Sequence, residues 1–217
     1  MNFIEYLRSD WPAVLNALGE HVRISLVSVG IAIVIAVPLA ILLTRHTRPA
    51  RIVLAVAGVI QTIPGLVMMG IGLLLFGLGR LPAIIVLAAY GLLPILQNTY
   101  TGIHEVDSLY TEAARGIGMT GAQILLHVEM PIALPAVMSG IRMSLVYTIS
   151  WATLAALIGA GGLGDFIWTG LSSYDTNQIL AGAIPASLLA IAAGALLDVI
   201  QRIVTPRGLK KRKGASA

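Results

Sequence analysis

The chain has 217 residues, of which 57% are apolar and 11% charged, with no cysteine, a formal charge of +4 and a mean hydropathy of +0.90. These figures exclude a disordered chain and a water-soluble globule, in which about 25% of residues are charged. Without thiols there is no disulfide framework and no cysteine-based catalysis or metal binding. About five runs of roughly 20 apolar residues take up half the length and leave no room for a soluble catalytic domain, so the expected class is an all-α integral membrane protein.

In chain order, residues 1–19 place Ile4, Leu7, Trp11, Val14, Leu15 and Leu18 at helical spacing between charged residues, the pattern of a helix lying on a membrane interface. The first span covers about 22–44, too long and too far from the start for a cleaved signal peptide. The second, about 52–78, is interrupted by Pro64-Gly65 and is either one broken span with a packing kink or a span plus a re-entrant piece. The third covers about 81–99, the fourth 135–158 and the fifth 179–204, with a polar loop at 100–134 and a basic tail at 205–217. Small residues at Ala32, Ala36 and Ala40, and at Gly182, Ala186, Ala190 and Gly194, mark faces where helices approach closely.

Five spans place Arg45, Arg48, Arg51, Arg115, Arg142, Arg202 and the tail on one side, against Arg8, Arg23 and Arg80 on the other. The positive-inside rule then sets the N-terminus outside and the C-terminus in the cytoplasm. The run Arg207-Gly208-Leu209-Lys210-Lys211-Arg212-Lys213 follows a span directly, so it reads as a contact with anionic lipid headgroups rather than with nucleic acid.

Several chemistries fail on context. Gly116-Ile-Gly118-Met-Thr-Gly121 and Gly159-Ala-Gly161-Gly-Leu-Gly164 satisfy G-x-G-x-x-G, yet neither follows a strand in a βαβ unit, and no Walker loop is present. His104-Glu105 lacks a second histidine at the zincin spacing, so neither a metal site nor a catalytic residue is expected. Asp198 is the one clear charge within a span, and Arg202, four residues on, is its expected partner.

The loop at 100–134 is more specific. Asp107 or Ser108 caps a short helix from Leu109 to Arg115, Gly116 or Gly118 ends it, and a second helical stretch from Ala122 to Val128 stops before Pro131. The loop resembles the EAA loop of permease subunits of binding-protein-dependent ABC importers. That pattern has Glu-Ala-Ala, a glycine four residues later, and an aliphatic-x-Leu-Pro ending that starts ten residues beyond the glycine. Glu112, Ala113, Ala114, Gly118, Val128 and Pro131 match it, with Met130 in place of leucine. The resemblance covers about residues 20–204. It implies a five-helix permease core like that of methionine importers, with a cytoplasmic coupling helix that docks on a separate ABC ATPase. ATP and Mg would be held by that ATPase and no cofactor by this chain. The other implied partners are an extracytoplasmic substrate-binding protein and a second permease, either this chain or a paralogue, in a bacterial or archaeal cytoplasmic membrane.

Gln61-Thr62-Ile63-Pro64-Gly65 and the stretch from Ala152 to Gly164 resemble the osmoprotectant branch, which imports glycine betaine, carnitine and choline; Gly65 stands where that branch has serine. A permease for an amino acid such as methionine is the alternative within the family, and an ATP-independent carrier or channel the alternative outside it. Mid-span polar residues are the candidates for the path: Gln61, Thr62, Gln97, Asn98, Ser144, Thr148 and Ser150. Tyr147 and Trp151 share a helical face, where they either pack between helices or touch a passing quaternary ammonium. Pro64, Gly65, Gly159, Gly161, Gly162 and Gly164 are candidate turn or gate residues.

Overall fold

A computed structural model describes residues 2–205, so the basic run at 207–213 lies outside the described residues. Among the described residues the elements are Phe3–Leu43 (α1), Thr47–Thr62 (α2), Gly65–Phe76 (α3), Arg80–His104 (α4), Ser108–Gly116 (α5), Gly121–Ile124 (α6), Met130–Ala155 (α7), Leu163–Ser173 (α8) and Thr176–Val204 (α9). A π-turn at Leu125–Glu129 precedes α7 and a 3-10 turn at Ala156–Ile158 follows it.

Four helical stretches are long and apolar enough to cross a membrane, and α2 with α3, bent by 98°, makes a fifth candidate. Neither half of that pair reaches the roughly 30 Å of a bilayer core alone. Contacts at its two ends show that the pair carries the chain from one end of the bundle to the other. Arg45, just before α2, meets Glu129 at the foot of α7, while the Gly79 N–H, just after α3, bonds the Ile158 carbonyl at the head of α7, at 2.7 Å. Arg45 thus marks one end of the bundle, the Arg45 end, and Arg80 the other, the Arg80 end.

The centre is the packing of α4 against α1 and α7, and small residues set its closeness. A Cβ on Gly140 of α7 would fall 2.7 Å from the Pro94 carbonyl, and one on Gly102 of α4 would fall 2.6 Å from Ala136. Ala32, Ala36 and Ala40 are fully buried against Ala50, Ile95 and Leu96. On α9, Gly182 admits the Leu163 carbonyl within 2.6 Å of where a Cβ would stand. Dispersion contacts at this range replace the hydrophobic drive that lipid does not supply.

Three local expectations need correction. Residues 1–19 are not a separate surface helix; α1 runs unbroken through Glu20. The reason is tertiary: Tyr6, Val14 and Ala17 are buried against Leu163, Ala181 and Ala186 of α8 and α9, so this half of the helix has a protein surface to cover. With 41 residues α1 is about 60 Å long, twice a bilayer core. The stretch from Ala122 does not stop before Pro131 either. The π-turn feeds directly into α7, so the chain stays helical through Pro131. Finally, Asp198 pairs with Arg142 of α7 at 2.7 Å rather than with Arg202, so the charge links two helices.

Candidate functional site

Ser144, Tyr147, Thr148 and Trp151 follow one another at helical spacing and share a face of α7. Opposite them stand Tyr90 of α4 and Gln61 of α2, and Gln61, Tyr90, Tyr147, Thr148 and Trp151 line a cavity of about 290 Å³. The Tyr90 and Trp151 rings stack at 5.5 Å with planes 18° apart. Tyr90 also organises the break between α2 and α3: its hydroxyl donates to the Ile63 carbonyl, and its own carbonyl accepts from Gln61 Nε2 at 3.3 Å. Pro64 therefore disrupts a helix whose freed carbonyl is satisfied by a neighbouring span.

Ser144 and Thr148 are buried, and neither hydroxyl has a hydrogen-bond partner among the described residues. Both approach Gly91, where a Cβ would lie 2.7 Å from Ser144 Oγ and 3.6 Å from Thr148 Oγ1. Thr148 lines the cavity, but its hydroxyl is buried toward Gly91, whereas Tyr147 is half-exposed on the bundle surface. Among the described residues the lining is aromatic and neutral-polar with no ionised group, suited to a small solute that carries its own charge.

The remaining polar candidates lie elsewhere. Thr62 is exposed and bonds its own helix at Val59, Gln97 faces outward, and Asn98 donates to the Pro94 carbonyl at 2.8 Å beside Gly140, in the α4–α7 contact. Sequence reasoning missed Tyr90, a lone hydroxyl-bearing aromatic amid small residues in mid-span, and that isolation was its available signal.

At the Arg80 end, Gly159, Gly161 and Gly162 have φ of +73°, +83° and +89°, and the chain reverses there to lay α8 over the head of α7. Gly164 lies so close to α7 that a Cβ would be 2.2 Å from the Thr153 carbonyl, and Trp168 Nε1 donates to that same carbonyl at 3.0 Å. Glu20 of α1 holds the turn: its carboxylate accepts from the Gly162 N–H at 3.3 Å and pairs with Arg80. Burial, and secondarily the Glu20 charge, push the carboxyl of Asp165 above the usual aspartate range.

At the Arg45 end, Asp107 caps α5 by accepting from the Leu109 N–H at 2.9 Å. Gly118 ends this segment at φ +86°, with its N–H on the Arg115 carbonyl and the Met119 N–H on that of Ala114. Ala114 is buried, while Glu112, Ala113 and the large apolar side chains of Leu109, Tyr110 and Ile117 are exposed. Thr120 caps α6 together with Gln123. Among the described residues no group of three or more potential metal ligands comes together.

Comparison with known proteins places this arrangement. Residues 31–210 match the family described as the binding-protein-dependent transport system inner membrane component. The chain is 44% identical over 211 residues, 97% of both chains, to the glycine betaine/carnitine/choline transport system permease protein OpuCB of Bacillus subtilis (strain 168). It is 42% identical over 215 residues, 99% of both chains, to the choline transport system permease protein OpuBB of the same organism. A solved structure of the MetNI methionine ABC transporter in an inward-facing conformation shares the fold, with a TM-score of 0.80 at 22% identity over 89% of this chain and 96% of that one. The chain belongs to the family of binding-protein-dependent transport system inner membrane components and is a permease subunit of an ABC importer.

Proposed function

We propose that this permease forms the membrane path for a quaternary-ammonium compatible solute such as glycine betaine, carnitine or choline. The names of its relatives support that substrate class, and the observation that carries the reading is the cavity of Gln61, Tyr90, Tyr147, Thr148 and Trp151. A trimethylammonium group is a permanent, weakly hydrated cation that aromatic surface attracts, while amide and hydroxyl groups serve the other end of the solute. A lining without fixed charge binds such a solute weakly, and passage requires release.

A path enclosed by so few spans calls for a second permease, this chain or a paralogue, related by a two-fold axis. An extracytoplasmic binding protein delivers the solute, and α5, with Glu112, Ala113, Ala114 and Gly118, docks on a cytoplasmic ATPase that holds ATP and Mg. Arg45, Arg48, Arg51, Arg115 and Arg202 favour the cytoplasm for the Arg45 end, which leaves the N-terminus outside. The glycine turn at 159–164 then belongs to the outer gate.

The test is uptake of labelled glycine betaine at high osmolarity by cells with and without the gene, competed by choline, carnitine, proline and methionine. Gene-dependent uptake, abolished by ATP depletion and competed by the quaternary amines alone, is the expected result. Uptake unaffected by the gene, with loss of methionine transport instead, overturns the substrate class and leaves the family assignment standing.

A further inference from the structure

Arg45 Nη2 and Glu129 Oε2 are 2.7 Å apart, and their positions in the chain differ from those of an ordinary surface ion pair. Arg45 lies in the tight turn between α1 and α2, held by the His46 N–H on the Leu43 carbonyl at 3.0 Å. Glu129 is the last residue of the π-turn that joins the α5–α6 segment to α7. Its side chain is only 7% exposed, against 48% for the arginine.

The two helices rooted at this contact, α2 and α7, supply four of the five cavity residues: Gln61 from α2, and Tyr147, Thr148 and Trp151 from α7. From Glu129 to Thr148 is about 28 Å of helix, and from Thr47 to Gln61 about 21 Å, so both walls are levers with one common fulcrum. At the π-turn the hydrogen-bond register already departs from i→i−4, with the Met130 N–H on the Leu125 carbonyl, and such turns recur inside helices at functional sites. A buried carboxylate that loses its cation is left uncompensated, so this contact is either made or broken and not gradually stretched.

Resting on the transport reading above, we propose that the Arg45–Glu129 pair positions the roots of α2 and α7, so that displacement of α5 by the ATPase is converted into movement of the cavity walls. Without the pair the π-turn absorbs the displacement, and ATP is hydrolysed while the cavity stays as it was. Glu129 and Arg45 are positioning residues and touch no solute.

The experiment uses the complete importer, with its ATPase and binding protein, in proteoliposomes, and reads glycine betaine taken up per ATP hydrolysed. Glu129→Gln keeps the shape of the side chain and is expected to lower that ratio at least fivefold while solute-stimulated hydrolysis persists. Arg45→Lys, which retains the charge, should stay within about twofold of the parent. The exchange Arg45→Glu with Glu129→Arg should recover most of what Glu129→Gln loses. A merely structural contact lowers uptake and hydrolysis in parallel at a constant ratio, and that result overturns the proposal, as does an exchange that rescues nothing in an assembled complex. A parent complex with no ATP-dependent uptake of any quaternary amine brings down the transport reading and this inference together. An active parent with an indifferent Glu129→Gln brings down the inference alone.

Discussion

Trp151 rests directly on the backbone of Gly65: a Cβ added there falls 1.9 Å from ring atom Cζ3 and 2.2 Å from Cε3. The ring is not free to move away, because Tyr90 stacks on it and Tyr90 is itself anchored to the Ile63 carbonyl. A side chain at residue 65 is therefore incompatible with this placement of Trp151, and the break at Ile63-Pro64-Gly65 has its shape here because residue 65 has none.

Gly65→Ala should consequently destabilise the permease by about 1–3 kcal/mol, the usual cost of forcing a methyl into a filled site. Uptake should fall with it, since the ring displaced is a wall of the cavity. A second substitution, Trp151→Leu, should restore the thermal stability of the Gly65→Ala protein in detergent without restoring uptake. If Gly65→Ala alone matches the parent in both stability and uptake, the contact does not constrain the break.

Gly118 presents the opposite situation. Among the described residues nothing lies within 4 Å of where its Cβ would stand, yet its φ is +86°, so a substitution there is resisted by backbone alone. Gly118→Ala should cost about 1–2 kcal/mol locally and leave membrane insertion unchanged. Glu112 is exposed and makes no ion pair among the described residues, and Glu112→Ala should shift overall stability by no more than about 0.5 kcal/mol. Both variants should nevertheless retain less ATPase on gentle co-purification and transport less. Full retention of the ATPase by both would remove α5 from the coupling surface.

What the sequence revealed was whatever depends on one helix at a time. The spacing of Ser144, Tyr147, Thr148 and Trp151 defines a face without knowledge of any neighbour, and Asp107 and Gly118 announce the ends of α5 through local hydrogen bonding and φ. What escaped was which face meets which helix. Gln97 and Asn98 look as suited to a path as Gln61 does, but the close approach at Gly140 turns Asn98 into the α4–α7 contact and leaves Gln97 outside. Tyr90 went unnoticed because its partners, Ile63 and Trp151, are 27 and 61 positions away. The continuity of α1 depends on the surface of α8 and α9, which no pattern within residues 1–19 encodes.

Asp198 separates local from tertiary pairing experimentally. Its partner is Arg142 at 2.7 Å, and the two side chains are 37% and 47% exposed, so the bridge is worth about 0–1 kcal/mol. Arg142→Gln and Asp198→Asn should lower the thermal midpoint by similar small amounts, and the double variant should lose little more than either, because the two share one interaction. Arg202→Gln should have no such coupling with Asp198→Asn. A double-mutant cycle in detergent decides between them, and coupling of Asp198 to Arg202 in place of Arg142 would contradict the geometry.

The glycine turn carries a pH dependence whose sign follows from Asp165. Its carboxyl is pushed above the usual aspartate range by burial first and by the Glu20 charge second. Folding therefore tightens the hold on this proton, and the folded protein binds more protons than the unfolded chain in the window above the ordinary aspartate value. In that window stability falls as pH rises, and above the folded value the loss is complete and constant. Asp165→Asn cannot ionise, so its thermal midpoint should exceed that of the parent at neutral pH, with the gap closing as the pH is lowered through the window. The gap should be small, because Asp165 is exposed to solvent and its charge is screened. It should shrink further in a Glu20→Gln background, where the secondary cause is gone, although loss of the Gly162 and Arg80 contacts lowers both midpoints together. Midpoints of the four proteins across pH 4–7 test the assignment, and an Asp165→Asn midpoint below that of the parent at neutral pH, converging with it toward acid, would show that folding lowers the Asp165 pKa instead.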